Sequence, residues 1–83
     1  MPTQFRTQGY SVMIYSDDHR PPHIHVIGSD GEVVFDLNCP DGPLEVRRRR
    51  GKVLITVVRR LINDISPEIR RLCTVWRKMH GYH

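Results

Sequence analysis

The stretch His23-Ile24-His25-Val26-Ile27-Gly28-Ser29-Asp30-Gly31-Glu32-Val33-Val34-Phe35-Asp36-Leu37 decides the fold. Successive strand side chains alternate, so His23 to Ile27 reads as a strand with Ile24 and Val26 on one face and His23, His25 and Ile27 on the other. Glu32 to Leu37 reads as its partner, with Val33, Phe35 and Leu37 on the apolar face. Between them Gly28-Ser29-Asp30-Gly31 is a turn signal, and Asp30-Gly31 suits a tight hairpin that needs positive φ. Two registers are open. A two-residue turn at Asp30-Gly31 pairs His25 with Asp36, whereas a turn centred on Ser29-Asp30 pairs His23 with Asp36.

Upstream, Gly9 to Tyr15 is rich in β-branched and aromatic residues and reads as another strand. Asp17-Asp18-His19-Arg20-Pro21-Pro22 interrupts it, because prolines lack a backbone donor and hold the chain extended. Downstream, Asn38-Cys39-Pro40-Asp41-Gly42-Pro43 ends the hairpin, and Leu44 to Arg48 suggests a short fourth strand. From Lys52 onward, Leu54, Val57, Val58, Leu61, Ile62 and Ile65 follow helical spacing; Val53 to Val58 taken alone would also suit a buried strand. Ser66 is the expected N-cap, Pro67 the first helical position and Glu68 a favourable charge at the helix start. The terminal helix is expected from Pro67 to about Met79. Ile69, Leu72, Cys73, Trp76 and Met79 share one face of it, and Arg70, Arg71, Arg77 and Lys78 the opposite face.

The expectation is therefore a single α+β domain over residues 1–83, with a small antiparallel sheet of three to four strands followed by two C-terminal helices packed on one face. Its predicted core is Ile24, Val26, Val33, Phe35, Leu54, Val58, Leu61, Leu72 and Trp76, with Trp76 anchoring the helix on the sheet. A chain of 83 residues is too short for two cores. Its 39% hydrophobic and 27% charged residues suit a globule and argue against a disordered tail. No apolar run approaches the roughly 18 residues of a membrane span. The N-terminus lacks the apolar region of a secretory signal, so a cytoplasmic protein is expected. The edges of so small a sheet leave self-pairing and pairing with a partner strand both open.

Cys39 and Cys73 are too few for a disulfide framework, and neither belongs to a C-x-x-C pair. Both read as free thiols: Cys73 as a small hydrophobe on a helix stripe, Cys39 as a loop residue with no activating neighbour.

Ile14-Tyr15-Ser16-Asp17-Asp18-His19-Arg20-Pro21-Pro22-His23-Ile24-His25-Val26 resembles the bacterial domain of unknown function 4160 family. That family combines an aromatic-rich strand, a short polar turn with histidine, prolines and a His-x-His strand. The similarity continues through Gly31 to Asp36 and into the helical end with Trp76, and Pro21-Pro22-His23-Ile24-His25-Val26 is its most specific part. Arg47 to Arg50 is more basic than is usual for the family. The family has no agreed activity. Its occurrence in toxin–antitoxin-like pairs implies a small protein or nucleic-acid partner.

Two constellations could carry chemistry. The net charge of +4 divides into −4 over residues 1–42, with two arginines against six acids, and +8 over residues 43–83, with eleven bases against three acids. Arg47, Arg48, Arg49, Arg50, Lys52, Arg59, Arg60, Arg70, Arg71, Arg77 and Lys78 form the basic set. Arginine forks bind phosphate in a bidentate way, which would give salt-sensitive affinity for nucleic acid or an acidic protein partner. The ordinary alternative is a solvated face partly neutralised by the acidic half. No zinc-finger spacing, helix-turn-helix turn or aromatic RNA-binding strand adds base specificity.

The second constellation is His23, His25 and Asp36 on one sheet face, a candidate catalytic or divalent-metal set to which His19 or Asp17 could add a ligand. The ordinary alternative is a hydrogen-bonded His–Asp pair that orders the proline turn. No P-loop, nucleophile elbow, dinucleotide fingerprint or His-Glu-x-x-His is present. The leading expectation is an interaction module acting through the basic half, and the competing one is a metal-binding or acid–base protein acting through the His-x-His strand.

Overall fold

The computed structural model describes residues 3–81. Five strands, β1 (Thr3–Thr7), β2 (Tyr10–Met13), β3 (His23–Gly28), β4 (Gly31–Asp36) and β5 (Glu45–Gly51), form one sheet in sequence order. Every neighbouring pair is antiparallel. One C-terminal helical stretch follows: α1 (Ile55–Ile65), a 3-10 turn (Ser66–Glu68) and α2 (Ile69–His80). The α+β class holds, with five strands instead of three to four and one joined helical stretch instead of two separate helices.

The extra strand, β1, lies in polar sequence that carries no alternation signal. Its pairing with β2 and a side-chain tether hold it in place: Thr7 Oγ1 and Gln8 Nε2 each donate to Asp64 Oδ2 of α1 at 2.7 Å. At the opposite edge β5 runs through all four consecutive arginines and is exposed along its whole length. Backbone pairing to β4, not side-chain burial, keeps it a strand, so hydrophobic alternation could not mark its end.

The central hairpin adopts the register in which Gly28 pairs with Gly31, Ile27 with Glu32, Ile24 with Phe35 and His23 with Asp36. The turn residues are Ser29 and Asp30. Gly31 has φ 156° and pairs with Gly51, and a Cβ on it would collide with the backbone carbonyl of Arg50. The close approach of β5 therefore requires glycine here.

Val12, Ile24, Val26, Val33 and Phe35 of the sheet, with Ile14 and Leu37 just past the ends of β2 and β4, meet Val58, Leu61, Ile65, Ile69, Leu72 and Trp76 of the helical stretch in one buried cluster. The helical members follow one another at intervals of three or four across Pro67, so a single apolar stripe serves the whole stretch. Proline removes one backbone donor and tightens the passage into a 3-10 turn without resetting the stripe. Ser66 is not the expected side-chain N-cap: its Oγ donates back to the Ile62 carbonyl at 2.6 Å, and α2 begins at Ile69. Leu54 is likewise not in the core. It is the N-cap residue of α1 and 66% exposed, one turn ahead of the stripe that begins at Val58.

Cys39 and Cys73 form a disulfide, which corrects their reading as free thiols. The loop after β4 folds onto α2 and brings the two Cα atoms to 5.9 Å although 34 residues separate them in sequence. That distance lies within the range a disulfide can bridge. No local spacing rule could have identified a partner so remote.

Candidate metal centre

Strand alternation that buries Ile24 and Val26 under the helical stretch sends His23 and His25 to the opposite face of the sheet. There the turn between β2 and β3 folds over them. Asp18 descends from that turn and places Oδ2 3.4 Å from His23 Nε2 and 3.1 Å from His25 Nε2. One ligand atom from each of Asp18, His23 and His25 lies within 4.8 Å of the others. The site is enclosed: His23 is 5% exposed, and the Tyr15 ring meets the His25 ring edge-on at 4.8 Å. Burial, with the carboxylates of Glu32, Asp18 and Asp17 nearby, raises the Tyr15 pKa, so this phenol is neutral and donates from its hydroxyl to Met13 Sδ at 3.4 Å.

The far side of each imidazole is also held. His23 Nδ1 lies 2.8 Å from the Pro21 carbonyl oxygen, and since a carbonyl only accepts, the ring donates from Nδ1. A neutral His23 then presents the lone pair of Nε2 to Asp18. His25 Nδ1 lies 2.9 Å from Glu32 Oε2 while its Nε2 faces Asp18, so both ring nitrogens face carboxylates. A neutral ring donates to only one of them. Donation to Glu32 turns the His25 Nε2 lone pair toward the same Asp18 oxygen. With both rings neutral and protonated on Nδ1, the arrangement gathers three acceptors around one point, each histidine oriented from behind by a carbonyl or a carboxylate.

Of the sequence-derived candidates, His23 and His25 come together here. Asp36 sits opposite His23 in the register, but its carboxylate is held by Arg47, whose Nε donates to Oδ1 at 2.7 Å. Arg47 occupies the irregularity between Val34 and Phe35 in the β4–β5 pairing, and it also donates to the Pro21 carbonyl at 3.3 Å. His19 and Asp17 are exposed and outside the cluster. Sequence reasoning missed Asp18 and Glu32. Glu32 was legible in principle, as the diagonal neighbour of His25 on the same face of the hairpin.

The basic residues do not form one surface. Arg48 and Arg50 pair across from Val34 and Glu32, hence on the histidine face, and Arg49 pairs with Val33 and turns to the other. All three are exposed, as is Lys52, and among the described residues none of them has an ion-pair partner. Arg70 pairs with Asp41 at 2.7 Å, Arg71 pairs with Glu68 at 2.7 Å, and Arg70 and Arg77 line a cavity beside α2. Lys78 is exposed.

The fold and site define a small five-stranded α+β domain with a histidine–carboxylate cluster on the sheet face away from its helices. The chain belongs to the family described as Domain of unknown function (DUF4160), whose model matches residues 9–82. No curated protein and no solved structure matches it. Among the described residues, no helix is long and apolar enough to cross a membrane.

Proposed function

We propose that the chain is a divalent-metal-binding protein whose ligands are His23 Nε2, His25 Nε2 and Asp18 Oδ2. The observation that carries the reading is the hydrogen bond from His23 Nδ1 to the Pro21 carbonyl, which in the neutral ring leaves Nε2 as an acceptor facing the Asp18 carboxylate 3.4 Å away. A metal ion bound by the neutral rings resolves that opposition, as a proton on Nε2 would in an ordinary His–Asp pair. Ligand atoms around a tetrahedral ion with bonds of about 2.0–2.2 Å stand roughly 3.4 Å apart, and the contacts of Asp18 with the two rings, 3.4 and 3.1 Å, fit that spacing. Two imidazoles and one carboxylate favour zinc or a similar transition ion over calcium or magnesium. Three protein ligands leave a fourth position for water, which such an ion would activate for acid–base chemistry.

The test is an NMR titration of the histidine ring resonances with zinc and manganese. The His23 and His25 signals are expected to move together at sub-millimolar zinc, and His25→Ala and Asp18→Asn to weaken binding at least tenfold. Ring signals that stay unmoved at about 1 mM zinc, a generous limit for a functional site, would overturn the proposal.

A second reading is an interaction module that meets nucleic acid or an acidic protein partner, in keeping with a bacterial cytoplasmic setting and a toxin–antitoxin-like pair. It is favoured by one feature, the edge strand β5, which exposes Arg48, Arg49 and Arg50 without carboxylate partners among the described residues. Binding of single-stranded RNA or duplex DNA at low salt, lost when these arginines become serine, would support it; no binding at low salt would remove it.

A further inference from the structure

The Cys39–Cys73 disulfide lies on the wall of a cavity of about 460 Å³, between the loop after β4 and α2. Arg20, Arg70 and Arg77 line the same cavity, together with Pro22, Pro40 and Thr74. Arg70 and Arg77 place two guanidinium groups on the α2 side of this cavity, and the pairing of Arg70 with Asp41 at 2.7 Å offsets one of them. Arg77 has no ion-pair partner among the described residues.

On α2, Arg70 precedes Cys73 by three residues and Arg77 follows it by four, so both are its neighbours on the helix surface. The two sulfur positions differ in access. Cys39 is exposed, whereas Cys73 is 8% exposed. An incoming thiolate therefore reaches Cys39, and the departing one forms on Cys73 between two cations, the setting that stabilises a thiolate.

We propose that Cys39–Cys73 is a thiol–disulfide exchange site for a small anionic thiol, whose carboxylates are held by Arg70 and Arg77. The thiolate of the small molecule bonds to Cys39 Sγ, the Cys39–Cys73 bond breaks, and its electron pair leaves on Cys73 Sγ. A second thiolate then attacks the mixed disulfide, giving the small-molecule disulfide and the Cys39 thiolate. Two small thiols are oxidised and the protein disulfide takes up the two electrons.

The proposal is independent of the metal centre, which lies on the other face of the sheet. Its test uses the full oxidised chain with two probes that share one thiol, reduced glutathione and its diethyl ester, which lacks the free carboxylates. Mass spectrometry with peptide mapping follows the mixed disulfide. The adduct is expected on Cys39, forming about fivefold faster with glutathione than with the ester, the scale of one or two partly exposed charge pairs. Arg77→Gln should bring the two rates together, and Asp41→Asn, which releases Arg70, should widen the difference. Equal rates with the unsubstituted chain, an adduct on Cys73, or two free thiols after equilibration with oxidised glutathione would each overturn it.

Discussion

Glu32 reaches His25 diagonally across the β3–β4 hairpin, its Oε2 standing 2.9 Å from the imidazole Nδ1, although the residue directly opposite His25 is Val34. A carboxylate behind a ligating histidine fixes its tautomer and raises its basicity, and loss of such a partner lowers metal affinity by about 10–100-fold. If the cluster holds zinc as proposed, Glu32→Gln should weaken its binding within that range. Asp36→Asn should weaken it less, because Arg47 holds that carboxylate and it reaches the histidines only through the Pro21 turn. Isothermal titration calorimetry of the two variants compares them directly, and equal losses would show that Glu32 does not orient His25.

Arg47 joins two elements that the sequence keeps apart, binding Asp36 on β4 and the Pro21 carbonyl ahead of β3. The Arg47 and Asp36 side chains are 32% and 29% exposed, so solvent screens the pair and its net worth is about 0.5–1 kcal/mol. Arg47→Ala should lower stability to urea by that amount. It should also loosen the Pro21–Pro22 turn, seen as faster hydrogen exchange at Leu37, whose amide donates to the Pro22 carbonyl at 3.1 Å. An unchanged midpoint and unchanged exchange would mean that the pair orders nothing.

The sequence made the central hairpin legible because its two faces differ so sharply in character. Ile24, Val26, Val33 and Phe35 fix one face as core, and His23 and His25 follow to the other without further information. Three features were hidden for distinct reasons. Thr3–Thr7 is a polar edge strand held by pairing, which leaves no hydrophobic period to read. Arg47 sits at a register irregularity, and strand alternation cannot anticipate an extra residue. Asp18 and Cys39 come from loops, whose paths depend on the tertiary fold: one descends on the histidines, the other meets Cys73 from 34 residues away. Leu54 shows the opposite error, a helical period extended one turn too early, into a residue that caps the helix and is 66% exposed.

Asp64 accepts hydrogen bonds from Thr7 Oγ1 and Gln8 Nε2, and both lower its pKa below the usual carboxylate value. A carboxyl whose folded pKa is depressed stabilises the fold above its unfolded pKa, near 3.9, and that contribution is lost as pH falls through the lower folded value. The tether between the β1–β2 turn and α1 should therefore release only on acidification below about pH 4. A carboxyl carbon NMR titration should place the Asp64 midpoint below those of other exposed aspartates, and Gln8→Ala together with Thr7→Ala should raise it. A midpoint that the double substitution does not move would assign the shift to another cause.

Arg48, Arg49 and Arg50 separate stability from binding. They are exposed on an edge strand and lack ion-pair partners among the described residues, so replacing all three by serine removes no buried contact. Surface changes of this kind move stability by no more than about 0.5 kcal/mol each. Each arginine that neutralises a phosphate releases a counterion, contributing about 0.7 to the slope of log affinity against log salt for a single strand. If β5 is the nucleic-acid surface, the triple variant should keep its unfolding midpoint nearly unchanged while its salt slope for single-stranded RNA becomes shallower by about 2. Alternation across β5 sharpens the expectation, since Arg48 and Arg50 share the histidine face and Arg49 the opposite one. A strand of RNA lying along one face would engage the first two, so Arg48→Ser with Arg50→Ser should account for most of the change and Arg49→Ser for little. Fluorescence anisotropy at two salt concentrations measures all of these slopes. Equal contributions from the three positions would indicate a partner that wraps the strand edge, and no change in any slope would rule out β5 as the nucleic-acid surface.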